Sequence, residues 1–149
     1  MPRHEEGSGA GTCTARHLNH VAIAVKDIDE TLQFYRDVFG TGPAEVEEVP
    51  DQGVRAALVQ VGGSQLEFIQ STDPGGAIGR FIESRGEAMH HICFEVEGLQ
   101  DRLDDLAARG VRLIDSTPRQ GLVGQIAFLH PRSTKGVLIE LVDRGTVRR

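Results

Sequence analysis

The sequence predicts an α+β protein: two tandem βαβββ modules forming a curved, partly open, barrel-like sheet. Three observations predict it. First, the run HLNHVAIAVKDIDETLQFY from His17 returns as HHICFEVEGLQDRLDDL from His90. At an offset of 71 residues His20 meets His91, Val21 meets Ile92, Ile23 meets Phe94, Val25 meets Val96, Ile28 meets Leu99 and Leu32 meets Leu103. Second, each copy is followed by short runs rich in Val, Ile, Leu and Phe, separated by Gly or Pro turns, as antiparallel meanders require. Third, 149 residues with 18 glycines suffice for one core and leave neither half enough for a secure core alone.

Residues 1–16 read as a flexible tail, since MPRHEEGSGAGTCTAR has acidic residues and no apolar stretch of signal-peptide type. The domain then runs over 17–143, with module one at about 17–72, a linker at about 73–87 and module two at about 88–143. In module one the strand from His17 leads to a helix capped by Asp27 or Asp29. Ile28, Leu32, Tyr35 and Val38, helped by Phe39, form its apolar stripe, and Gly40 ends it. VRAALVQV and SQLEFIQ supply strands. The linker STDPGGAIGRFIESRGEA holds a turn and a short helix around Ile78 to Ile82. In module two the helix carries Leu99, Leu103, Leu106 and Ala107 and stops at Gly110, and GQIAFLH and KGVLIELV follow as strands. Residues 144–149 read as a second tail.

Strand alternation sorts the faces. Val21, Ile23 and Val25 share the face toward the helix, whereas His20, Ala22 and Ala24 share the other; His91 and Cys93 likewise oppose Ile92, Phe94 and Val96. In the final strand of each half, Glu67 lies between Leu66 and Phe68, and Glu140 between Ile139 and Leu141. Glu67 follows His20 by 47 residues and Glu140 follows His91 by 49, so each module offers one His and one Glu on the concave face. A glutamate inside an apolar strand is costly unless its charge is compensated. Two imidazoles and two carboxylates converging on one point suit a divalent ion with positions left for water or substrate. Cobalt(II), nickel(II), manganese(II), zinc(II) and iron(II) all suit this donor set, and ligand type does not separate them.

Taken singly, a His at a strand start or a Glu within a strand is more often structural or solvated; the matched placement in two repeats favours the metal. His90 falls on the face opposite His91 and reads as structural, as do His17, His130 and His4, each hydrogen-bonded or solvent-exposed. Cys93 reads as a small wall residue, and Asp104 and Asp105 as the solvated face of a helix. A formal charge of −6 argues against a nucleic-acid partner, and no apolar run approaches the length that crosses a bilayer. Two cysteines, Cys13 and Cys93, make no disulfide framework, and a cytoplasmic location is expected.

The segments HLNHVAIAVKDIDETLQFYRDVFG, MHHICFEVEGL and IAFLHPRSTKGVLIEL resemble the vicinal-oxygen-chelate superfamily and, within it, the methylmalonyl-CoA epimerases, over roughly residues 17–143. The initial His-strand-helix motif is common to the superfamily; MHHICFEV and the FLHP…GVLIEL ending discriminate more sharply. The resemblance implies that His20, His91 and Glu140 are metal ligands. Glu67 stands where some members have glutamine, binding the metal directly or through water. GPAEVEEVPDQGV matches the region that supplies a catalytic carboxylate, placing it on Glu45 with Glu47 and Glu48 as neighbouring competitors, although an exposed acidic strand edge would read the same way.

Such an enzyme removes the proton between a thioester carbonyl and a carboxylate and returns one to the opposite face. A divalent ion stabilises the developing enolate charge. Glu45 is the candidate on one face; Glu140, or a bound water, serves the other. The implied partners are a small acyl-CoA substrate and a second copy of the chain in a homodimer. Two departures from the pattern bear on the acyl group: HPR at His130–Arg132 replaces a common HPK, and the loop Pro118–Gln125 is short. Arg119 and Arg132 are candidate anion contacts. The alternatives are a glyoxalase I-like isomerase, an extradiol dioxygenase, and a metal-free small-molecule-binding or resistance protein of the same fold.

Overall fold

The computed structural model describes residues 14–148. His4, Cys13 and the remainder of the expected tail up to residue 13 lie outside the described residues, as does Arg149. The strands are β1 (His17–Val25), β2 (Glu47–Val49), β3 (Val54–Val61), β4 (Ser64–Ser71), β5 (Ala88–Val96), β6 (Arg119–Gln120), β7 (Gln125–Leu129) and β8 (Ile139–Asp143). The helices are α1 (Ile28–Phe39), α2 (Ala77–Arg85) and α3 (Leu99–Ala108). The class is α+β, and each repeat runs strand, helix, then antiparallel strands, as its sequence predicts.

Contacts within the chain gather into two units, residues 18–93 and residues 94–148 with 14–17. The seam falls inside β5. In the first unit the strand order is β2-β3-β4-β1-β5, so the start of β5, with His91, lies beside β1 and its His20. In the second unit the order is β8-β7-β6.

Helix α1 forms because Ile28, Leu32 and Tyr35 fall on one packed face and its ends are satisfied, whereas Val38 and Phe39, expected in the same stripe, are exposed. The Asp27 carboxylate accepts the Glu30 N–H, the side-chain oxygen of Gln70 accepts the Ile28 N–H at 2.8 Å, and Gly40 closes the helix in the left-handed region at φ 67°. Asp27, not Asp29, is thus the cap. The stripe packs Ile28 and Leu32 against Val25, Ala57, Val59 and Phe68. Burying Phe68 fully is worth on the order of 2–3 kcal/mol. Helix α3 repeats the device: Leu99 and Leu103 pack on Val96, Ala127, Leu129 and Leu141, and Asp143 at the end of β8 accepts the Leu99 N–H at 3.3 Å. In both repeats the last strand, β4 or β8, holds the start of that repeat's helix.

The pairing of β1 with β4 is parallel, with His20 beside Gln65 and Ala22 beside Glu67. The intervening α1, β2 and β3 supply the crossover that a parallel pair needs. The face of β1 expected to stay open around Ala22 and Ala24 is instead covered by α2, whose Ile78 packs on both alanines with Val54 and Ile69. That helix is also longer than the sequence predicts, because Ile78, Phe81 and Ile82 recur on one face against this second cluster.

Two further expectations change. The strand predicted from Lys135 begins only at Ile139: Lys135 and Gly136 adopt φ 62° and 89°, a left-handed pair that breaks extended backbone. The expected C-terminal tail opens with a 3-10 turn at Arg144–Thr146, where the Asp143 carboxylate accepts the Gly145 N–H, and the Arg148 N–H bonds the Val123 carbonyl at 3.0 Å. Among the described residues no helix is long and apolar enough to cross a membrane.

Candidate active site

In the first unit, β1, β4 and β5 bring His20, Glu67 and His91 together. One ligating atom from each lies within 4.8 Å of the other two, and all three residues are buried. The Nε2 atoms of His20 and His91 are 3.2 Å apart. The Glu67 carboxylate spans both rings, with Oε2 3.7 Å from His20 Nε2 and Oε1 3.9 Å from His91 Nε2. The pleat explains the convergence: Leu66 and Phe68 turn toward α1, so Glu67 must turn the other way.

The residues preceding the two histidines complete the cluster. His20 Nδ1 lies 2.7 Å from Asn19 Oδ1. An amide oxygen only accepts, so Nδ1 carries a proton, and in the neutral ring Nε2 then presents a lone pair. His91 Nδ1 lies 2.8 Å from His90 Nδ1, so one proton sits between those nitrogens. The His90 ring meets the ring of Phe81, on α2, edge to face at a centroid distance of 4.9 Å. Sequence reasoning set His90 aside as structural and did not single out Asn19. The signal was available, because both stand one residue before a ligand candidate and are separated by the repeat offset.

This arrangement fits a divalent cation. Two Nε2 atoms cannot face one another at 3.2 Å with both lone pairs bare; they need a shared proton or a shared cation. Two imidazoles bound to one ion at about 2.0–2.1 Å, with an angle between 90° and 109°, stand about 2.9–3.4 Å apart, which brackets the separation found. The Glu67 oxygens stand somewhat farther out, and its buried negative charge is of the sign that complements a cation.

Glu140 is buried in the second unit, opposite Phe128 across β7 and β8, with Ile139 and Leu141 turned into the α3 cluster. Its position in β8 reproduces that of Glu67 in β4. Glu45 is exposed and lies two residues before β2. Ala44 and Val46 pack into the α1 cluster, so alternation directs Glu45 and Glu47 to the opposite face. Glu47 is half-buried beside Ala56, and Glu48 is exposed and pairs with Arg55 at 3.6 Å. Pairing of β2 with β3 ends at Glu47 opposite Ala56, so Glu45 lies outside it; the same register continued by one pleat would set Glu45 opposite Leu58, whose partner on β4 is Glu67.

Of the residues read as structural, His130 caps a turn by accepting the Arg132 N–H through Nδ1, His17 is exposed, and Cys93 is buried. Asp105 pairs with Arg102 on the α3 surface, and Asp104 accepts from Gln100. Arg119 is engaged by Asp115 at 3.2 Å and lies over the Phe128 ring. A buried acid that sequence reasoning passed over is Glu95, on the His91 face of β5; its repeat equivalent is Ala24, and Arg144 approaches it at 3.9 Å.

Residues 19–128 match the family described as the Glyoxalase/Bleomycin resistance protein/Dioxygenase superfamily. An ethylmalonyl-CoA/methylmalonyl-CoA epimerase of Cereibacter sphaeroides is 35% identical over 127 residues, 83% of this chain and 95% of that protein. The crystal structure of methylmalonyl-CoA epimerase from Mycobacterium tuberculosis is similar at 36% identity and a TM-score of 0.83, covering 89% of this chain and 90% of that one. A methylmalonyl-CoA epimerase solved with methylmalonyl-CoA and NH4+ is 31% identical with a TM-score of 0.83, covering 91% of this chain and all of that one. Lactoylglutathione lyases are more distant, at 23 to 24% identity. The chain belongs to the methylmalonyl-CoA epimerase family of the Glyoxalase/Bleomycin resistance protein/Dioxygenase superfamily.

Proposed function

We propose that the protein interconverts the two C2 epimers of methylmalonyl-CoA at a metal centre held by His20, Glu67 and His91. The observation that carries the metal centre is the 3.2 Å approach of two buried imidazole nitrogens beside a buried carboxylate. The epimerase family carries the reaction. A divalent cation bound there supplies positive charge where the substrate's oxygens gain negative charge. Cobalt(II) is the proposed ion. Glu67 coordinates directly or through one water, in keeping with its oxygens standing wider than the imidazole pair.

Glu45 is the proposed base. It takes the C2 proton; the C–H electron pair delocalises onto the thioester oxygen, and a proton returns to C2 from the opposite face. Two features support it: it faces away from the α1 cluster, and its extended register lines it up with Glu67 two strands away, about 10 Å at ordinary strand spacing. That gap accommodates an acyl group between base and metal ligands. A carboxylate on the half-exposed edge also keeps access to water, with which it exchanges the abstracted proton. Glu140 is proposed, on its equivalence to Glu67 alone, as the fourth ligand and the proton group for the second face.

The proposal extends to a homodimer located in the cytoplasm, acting on a small acyl-CoA. Arg132 remains a proposed contact for the substrate's anionic groups. The rival reading is a glyoxalase I-like isomerase. One C2 epimer of methylmalonyl-CoA, followed to equilibrium with the other, tests the first; turnover of a glutathione hemithioacetal tests the second. Conversion of the hemithioacetal with no change at C2 of methylmalonyl-CoA would reverse the assignment.

A further inference from the structure

Each metal-ligand histidine is preceded in the chain by the residue that bonds its other ring nitrogen. Asn19 Oδ1 holds His20 Nδ1 at 2.7 Å, and His90 Nδ1 holds His91 Nδ1 at 2.8 Å. Asn19 and His90 are repeat equivalents, at the same offset as the ligands themselves. We propose that Asn19 and His90 are a matched pair of positioning residues: each accepts the Nδ1–H of the following histidine and so turns that ring's Nε2 lone pair toward Glu67. This rests on the metal-centre reading above and adds what sets the two ligands.

The chemistry requires such a partner. A neutral imidazole has one N–H, and only the bare nitrogen can bind an ion, so whatever fixes the proton on Nδ1 releases Nε2 for coordination. Asn19 fixes it without ambiguity because its oxygen cannot donate. His90 can do so only as the tautomer protonated on Nε2. The Phe81 ring at 4.9 Å packs edge to face with that imidazole, and Arg85 lies 5.3 Å from the centroid of the same phenyl ring. Helix α2, apparently a mere link between repeats in the sequence, thereby holds His90 in place, and His90 in turn holds His91.

The test uses the full chain labelled with 15N in histidine and loaded with zinc(II) as a diamagnetic probe, with zinc affinity measured by competition against a chelator. In the wild-type protein, long-range 1H–15N spectra are expected to show His91 protonated on Nδ1 and His90 protonated on Nε2. His90→Phe, which cannot accept, is expected to weaken zinc binding by about 10–100-fold, whereas His90→Asn, which copies the first repeat, holds it within about threefold. His20→Ala and His91→Ala serve as controls; if they bind zinc as tightly as wild type, the metal centre itself is wrong. If those controls lose zinc while His90→Phe binds normally, or if His90→Asn falls as far as His90→Phe, the metal centre stands and the positioning role is overturned. Should His90→Phe fail to fold, the wild-type spectrum decides: His90 protonated on Nδ1 in the zinc-loaded protein overturns the proposal.

Discussion

The Nε2 atoms of His20 and His91 stand 3.2 Å apart although 71 residues separate them in the chain. Adjacency of β1 and β5 produces the contact, and the repeat ensures that the same atom of the same residue type arrives from each side. A shared cation is the proposed occupant of that meeting point. His20→Ala and His91→Ala are therefore expected to lose bound metal and epimerisation together, each with metal affinity lowered by more than about 100-fold. Metal analysis of the purified variants, with circular dichroism to confirm folding, checks this. Full activity in a variant without metal would contradict it.

Glu45 and Glu67 differ in what their removal should do. Glu45→Gln is expected to retain metal at wild-type occupancy while C2 proton exchange falls by about 10²–10⁴-fold, the usual contribution of a positioned acid or base. Glu47→Gln, two residues along on the same face, is expected to exchange near the wild-type rate. The reverse pattern would move the base to Glu47, which already lies within β2 beside Ala56.

Glu67→Gln removes a buried charge and keeps a ligating oxygen. Metal binding is expected to weaken by about tenfold and still be measurable, while Glu67→Leu, which removes the ligating oxygen as well, is expected to weaken it more. Titration with zinc(II) and cobalt(II) separates the two variants. Equal binding by wild type and Glu67→Leu would remove Glu67 from the centre.

Metal should also stabilise the fold, because an ion that binds only the native chain adds stability by mass action. At free cobalt(II) of 100 times its dissociation constant the gain is about 2.7 kcal/mol. Thermal unfolding with and without chelator measures it, and the difference is expected to vanish in His20→Ala. A midpoint indifferent to chelation in the wild-type protein would argue that nothing binds.

The hydrophobic support of the site has its own signature. Phe68 is fully buried between Leu32, Val25 and Val59, next in the chain to Glu67. Phe68→Ala is expected to cost about 3–5 kcal/mol of stability, and denaturant unfolding reads it directly. A loss below about 1 kcal/mol would mean that the cluster repacks around the cavity.

Much of this was legible in the sequence because it is periodic. The duplicated strand and helix, a cap at Asp27 or Asp29 with the stop at Gly40, and the faces of His20, Glu67 and His91 follow from alternation and helical spacing, which are local properties. What escaped depends on contacts between distant segments. Pairing of β1 with β4 is parallel because α1, β2 and β3 intervene, and nothing local to either strand encodes it. Ala22 and Ala24 read as residues leaving room, yet their small size is what lets α2 seat Ile78 on that face. His90 was set aside because strict alternation sends it to the opposite face from His91; only the side-chain geometry brings the two Nδ1 atoms to 2.8 Å. The start of β8 was misplaced because Lys135 has no turn signature of its own and takes its positive φ in the turn with Gly136.

The central claim is that this chain moves the C2 proton of methylmalonyl-CoA at a site that needs its metal. Deuterium wash-in at C2, followed in heavy water by mass spectrometry, tests it most directly with cobalt(II)-loaded protein, with chelated protein, and with chelated protein to which cobalt(II) is returned. Rapid incorporation, its loss on chelation and its recovery on reloading are the results expected. Incorporation that proceeds undiminished in protein shown to be free of metal, or none at all in the loaded protein, would contradict it.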